Sequence, residues 1–148
     1  MISRYLFVLA LLLSACALPT PEQRPVPGPL PAWDPAGTHG TLSSDGSYWV
    51  VYRALPSDVP VNSEFAVEFY VTHADVRDVL IAPEAITVDA RMPGHGHGML
   101  YDVSTARTQG GTYATPGMLF HMTGHWELYV DITLGPWTER AQFDIDLE

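Results

Sequence analysis

Glu64-Phe65-Ala66-Val67-Glu68-Phe69-Tyr70-Val71-Thr72 sets Phe65, Val67, Phe69 and Val71 at every second position. Side chains on an extended chain alternate between two faces, so this stretch builds one apolar face and one mixed face. The same period recurs along the chain. Tyr48 to Ala54 is rich in β-branched and aromatic residues, and Ile86, Val88 and Ala90 alternate with Thr87, Asp89 and Arg91. Trp126, Leu128, Val130 and Ile132 alternate with Glu127, Tyr129 and Asp131; Ala141, Phe143, Ile145 and Leu147 alternate with Gln142, Asp144 and Asp146. No segment carries a helical period. Short runs of this kind, separated by Pro, Gly, Asn and Asp, predict an all-β domain, an antiparallel β-sandwich of about seven strands with one face of each sheet buried. Pro83 and Pro136 fall at strand edges or starts, where a missing N–H does little harm.

The chain before this domain has a different character. Arg4 followed by the apolar run Leu6 to Leu13 reads as a signal peptide over residues 1–15, too short to be an ordinary membrane span. Leu13-Ser14-Ala15-Cys16 resembles the bacterial lipobox, which implies cleavage before Cys16 and lipidation of its thiol. Ala17 after the cysteine resembles the outer-membrane sorting pattern of Gram-negative lipoproteins. Seven of the thirteen prolines lie between Pro19 and Pro35, so residues 16–45 are expected to form an extended tether and 46–148 the folded domain.

Cys16 is the single cysteine, so no disulfide can form within the domain and a blue-copper centre, which needs a thiolate, is excluded. All seven basic residues are Arg, which removes Schiff-base chemistry. After loss of Arg4 the charge is 6 minus 17, or −11, which argues against nucleic acid as a partner.

Two stretches are chemically dense. Met92-Pro93-Gly94-His95-Gly96-His97-Gly98-Met99 gathers two of the six histidines and two of the five methionines. In an extended segment His95, His97 and Met99 would project from one side, and the glycines between them let the imidazoles tilt toward a common ion. Imidazole suits copper and zinc, while thioether sulfur favours copper, Cu(I) above all. A ligating imidazole must be neutral, so such a site weakens as pH falls below about 6. The bland alternative is a glycine-rich loop with solvated histidines.

The second stretch is Gly117-Met118-Leu119-Phe120-His121-Met122-Thr123-Gly124-His125-Trp126-Glu127. It reads as a strand, a tight turn and the next strand. A two-residue turn at Thr123-Gly124 would set Met122 opposite His125 and put His121 on the face of Trp126; a three-residue loop would send Met122 to the core side and His121 away. Met118, Phe120 and Met122 also suit core filling, and His39 and His73 read as incidental surface residues.

Taken together, Asp89-Ala90-Arg91-Met92-Pro93-x-His95-Gly96-His97-Gly98-Met99, Gly111-x-Tyr113 and Phe120-His121-Met122-x-Gly124-x-Trp126-Glu127 resemble the YtkA-like/FixH-like group of small exported bacterial domains, over residues 46 to 135. The resemblance implies an immunoglobulin-like sandwich and envelope copper handling or a role beside respiratory oxidase assembly. It carries His95, His97, Met99, His121 and Met122 over as metal ligands, with Met92 and His125 as further candidates. FixH-like proteins often carry a transmembrane helix where this chain has a lipobox. The expected function is a membrane-tethered copper-binding protein of the cell envelope, facing the periplasm, with copper as cofactor and a copper-handling or oxidase-assembly protein as partner. The alternative is a metal-free β-sandwich interaction module. No serine sits in a nucleophile elbow and no His-Glu-x-x-His helix is present, so an enzyme is not expected.

Overall fold

The computed structural model of the protein describes residues 28–148. The expected signal peptide, Cys16 and the first part of the tether lie outside these residues. Nine strands follow in order: β1 His39–Leu42, β2 Tyr48–Leu55, β3 Glu64–His73, β4 Ala85–Met92, β5 His97–Gly98, β6 Ala106–Arg107, β7 Tyr113–Leu119, β8 Gly124–Leu134 and β9 Trp137–Leu147. They form two antiparallel sheets, ordered β1-β2-β3-β7-β6 and β5-β4-β8-β9. Setting β1 and the two-residue β5 aside, β2-β3-β7-β6 over β4-β8-β9 is the ABED and CFG strand order of the immunoglobulin sandwich.

The alternating residues form the core between the sheets. Phe65, Val67, Phe69 and Val71 from β3 are buried, and so are Trp126, Leu128, Val130 and Ile132 from β8. Phe143 from β9 meets Tyr52 from β2 edge to face, ring centroids 4.6 Å apart. Aromatic pairs in this arrangement add to the area they bury.

The domain begins earlier than residue 46. His39–Leu42 pairs along β2, and Pro29 bridges to Val79. Trp33 lies 5.3 Å from the Tyr70 ring, with the Arg53 guanidinium 4.5 Å from its own ring. The end of the proline-rich stretch therefore packs on the sandwich, because an aromatic ring and a strand-edge hydrogen-bond ladder are available to it.

β7 is the least regular long strand. Its pairing with β3 steps from Phe65↔Met118 to Val67↔Thr115, so one extra residue is accommodated on β7 at Pro116-Gly117. A bulge tolerates a proline, whose missing N–H would interrupt a regular ladder.

Glu139 is buried where the β1–β2 turn meets β9. Its Oε2 accepts hydrogen bonds from Ser43 Oγ at 2.7 Å and from the Ser47 backbone N–H at 3.3 Å. Burial pushes its pKa up, but the donated hydrogen bonds outweigh burial and leave the carboxyl below the usual 4.5. A carboxyl whose native pKa is depressed stabilises the fold above its unfolded-state pKa, and that contribution is lost as pH falls through the native value. Denaturant melts over the acid range are therefore expected to show stability dropping below about pH 4.5, with a shallower drop in Glu139→Gln. Identical pH profiles for the two proteins would contradict this assignment.

Candidate metal centre

The two dense stretches meet at one end of the sandwich. β4 runs through Met92 into a 3-10 turn, Pro93–His95, whose C-cap is Gly96 in the left-handed region at φ 72°. β5 then returns antiparallel, with Met92 opposite His97 and Arg91 opposite Gly98. A Cβ on Gly98 would stand 2.8 Å from the Ala90 carbonyl oxygen, so this close return requires glycine. His95 therefore sits in a turn, not in the extended run with His97 that the spacing predicts. The two rings are nonetheless neighbours, with centroids 5.6 Å apart.

The connection from β7 to β8 is no hairpin. β7 belongs to the five-stranded sheet and β8 to the four-stranded one, so residues 120–123 cross between the sheets and neither turn-length alternative applies. Phe120 is fully buried, bridges in parallel to Val61, and its carbonyl accepts from the Asn62 N–H at 2.8 Å. Gly124, at φ +117°, opens β8, and a Cβ there would come within 3.1 Å of the Met92 methyl. The Trp126 ring stacks on Phe120 at 4.4 Å, and its Nε1–H donates to the Met122 carbonyl at 3.0 Å.

That crossing delivers His121 to the β4–β5 turn. The His97 and His121 rings lie 5.1 Å apart, and the Trp126 ring stands 6.4 Å from the first and 5.5 Å from the second. His97 is thus the middle of a row His95, His97, His121, which draws on both sheets. His121 Nδ1 is buried and has no hydrogen-bond partner among the described residues. A buried polar nitrogen without a partner is costly, and a metal ion is one way to satisfy it. His95 is exposed and His97 half-buried.

The other expected ligands take varied places. Met99 is half-buried against the core, with its backbone N–H donating to the Ala90 carbonyl at 3.1 Å. Met122 is exposed at the rim, and Met92 is buried in the core. His125 lies on the outer face of β8, opposite Asp146, away from the core face that carries Trp126. Its Nδ1 is 2.9 Å from Asp146 Oδ1 and its Nε2 is 3.7 Å from Asp144 Oδ1. The hydrogen bond with Asp146, reinforced by the charges of Asp146, Asp144 and Glu127, raises its pKa above the ordinary 6.5.

Among the described residues, the His, Asp and Glu group whose ligand atoms all lie within 4.8 Å of one another is His125, Glu127 and Asp144. The three clustered imidazoles stand ring to ring without that convergence. Of the three rings, His95 is the exposed one, and it is flanked by Gly94 and Gly96. Sequence reasoning missed the carboxylates beside His125, although His125-x-Glu127 and Asp144-x-Asp146 both have the period that puts two side chains on one strand face. It also missed Trp126 as the floor beneath His97 and His121.

A groove of about 1120 Å³ runs between β1, β2 and the edge of β9 and contains none of the three clustered histidines. A recess of about 270 Å³ lies against His97, lined also by Arg91, Met92, Glu127 and Tyr129.

No family model matches the chain, and no curated protein matches it. Among solved structures, a DUF4426 family protein from Pseudomonas aeruginosa PAO1 is similar to it, with a TM-score of 0.51 and 11% identity over 77% of this chain and 97% of that one. At this identity the likeness is one of fold alone, and the fold in common is a β-rich one.

Proposed function

We propose that this protein binds copper at the end of the sandwich where His95, His97 and His121 meet, and buffers it or passes it on. The observation that carries the reading is the buried, unpartnered Nδ1 of His121 beside the His97 ring. It leaves a strong nitrogen ligand unsatisfied where two further imidazoles stand in a row with it, and Met99 and Met122 follow His97 and His121 closely in sequence. Histidine nitrogens would hold Cu(II), and the methionine sulfurs would help retain Cu(I). Exchange is favoured by the glycine-rich turn, in which His95 is free to leave the ion before the others. The resemblance to YtkA-like/FixH-like domains supports the same reading, and with the lipobox-like Leu13-Ser14-Ala15-Cys16 it supports a lipid-anchored protein of the cell envelope, at the outer membrane and facing the periplasm if the cell is Gram-negative, working beside copper-handling or oxidase-assembly partners.

The test is an anaerobic Cu(I) titration of the protein against a competing chelator, with Cu(II) and Zn(II) in parallel. One Cu(I) per chain held more tightly than by a peptide of residues 92–99 is the expected result. Equal affinity of protein and peptide would mean that His121 takes no part, and would remove the proposal.

A further inference from the structure

We propose that the outer face of β8 and β9 carries a second, separate metal site, formed by His125, Glu127 and Asp144 and suited to a divalent cation of the zinc class. These three ligands and Asp146, which supports His125, lie on two adjacent antiparallel strands, His125 opposite Asp146 and Glu127 opposite Asp144. Two-residue spacing turns all four side chains to the same, outward side of the sheet. The ligand atoms of His125, Glu127 and Asp144 fall within 4.8 Å of one another, on strands that run without interruption through this register.

The histidine is oriented as a ligand would be. Its Nδ1 lies 2.9 Å from Asp146 Oδ1, a hydrogen bond that fixes the proton on Nδ1 in the neutral ring and leaves the Nε2 lone pair free. Nε2 points toward Asp144 Oδ1 at 3.7 Å, too far for a hydrogen bond between them. Two donors each about 2.1 Å from a tetrahedral zinc ion are roughly 3.4 Å apart, so this gap is close to that of a ligand pair. A carboxylate behind the far nitrogen of a ligating imidazole is a recurrent support of metal sites. Glu127 is held in a comparable way, its Oε2 accepting the Tyr129 hydroxyl hydrogen bond, which leaves Oε1 available.

Charge points the same way. Glu127 and Asp144 face each other directly, and like charges so placed on paired strands are destabilising. The nearest cation on the neighbouring strand, Arg91, sits opposite Glu127 but directs its Nε to Asp89 at 3.1 Å. A divalent ion would offset the repulsion. The donor set has one nitrogen and carboxylate oxygens with no sulfur, which separates it chemically from the His/Met cluster on the core side of Trp126.

The experiment is a titration of the full-length protein with Co(II), read by its visible absorption, followed by Zn(II) displacement against a chelator. The wild type is expected to bind Zn(II) here, and the double variant Glu127→Gln/Asp144→Asn to lose at least a hundredfold in Zn(II) affinity while Cu(I) affinity is unchanged. Asp146→Asn, which leaves all three ligands in place, is expected to lose ten- to hundredfold. His97→Ala/His121→Ala is expected to leave Zn(II) binding intact, so failure of the copper site and failure of this one are read separately. The proposal is overturned if the wild type binds no Zn(II), if the carboxylate variant binds it as well as the wild type, or if the loss follows His97 and His121 instead. His125→Ala is the second variant should the carboxylate pair prove to affect folding, and undiminished Zn(II) binding in it would overturn the proposal equally.

Discussion

Replacing His97 and His121 together by alanine is expected to weaken Cu(I) binding by more than about a hundredfold, since even residues behind a ligand contribute ten- to hundredfold. His97 is the ring that touches both neighbours, at 5.6 Å to His95 and 5.1 Å to His121. His121 is the one imidazole among them that comes from the crossing between the sheets, and its buried nitrogen has no partner among the described residues. Without both, an exposed His95 and two methionines remain, which is little better than an unstructured peptide. His125→Ala should leave Cu(I) affinity where it was, because that side chain faces the opposite side of the sheet. Retained Cu(I) affinity in the double variant, measured by chelator competition, would dismiss the histidine row as the copper site.

Trp126→Ala is expected to cost about 3–5 kcal/mol of stability, the range for deleting a large buried aromatic side chain. Trp126 is fully buried and stacks on Phe120 at 4.4 Å with the planes 10° apart. Phe120 in turn meets Phe65 edge to face at 5.0 Å, so the truncation opens a cavity between β8, β3 and the crossing that joins the two sheets. Trp126→Phe separates the ring from its hydrogen bond: it keeps most of the packing and loses the Nε1–H donated to the Met122 carbonyl, at a cost of about 1 kcal/mol. Chemical denaturation measures both, as a shift in midpoint at constant m. A loss below about 1 kcal/mol for Trp126→Ala would mean that the ring does not hold this end of the sandwich together.

Alternation made four strands legible, β3, β4, β8 and β9, because each buries one face more than the other, and β2 was legible from its β-branched and aromatic residues, being buried on both faces around Val50-Val51-Tyr52. β1 was not legible: His39-Gly40-Thr41-Leu42 is a sheet edge, mostly exposed, and has no apolar set to betray it. β7 was legible only in its last residues, from Gly117 on; its first half was hidden by Pro116-Gly117, two residues that signal a turn and that here occupy a bulge. The metal candidates were found by residue type, and His95, His97 and His121 do come together. What could not be read was how. Turn-length arguments assume that consecutive strands pair, whereas β7 and β8 lie in different sheets, and it is this crossing that separates His121 from His125. The outward direction of His125 follows from parity with Glu127 once Trp126 is known to be buried, so that placement was available in the sequence but was obscured by the choice between two hairpins.

The pairing of β3 with β7, and of β4 with β8, joins residues between 36 and 55 positions apart in the chain. Contacts so distant form only after the entropy of closing the intervening loops has been met, and sandwiches of this kind fold in milliseconds to seconds. The histidine row inherits that delay. His95 and His97 are neighbours as soon as the β4–β5 turn closes, but His121 joins them only when both sheets have found their registers and docked. The complete set of imidazoles is therefore a late event on the folding pathway, and a chain still unfolded or half assembled offers a metal ion no more than its local peptide does.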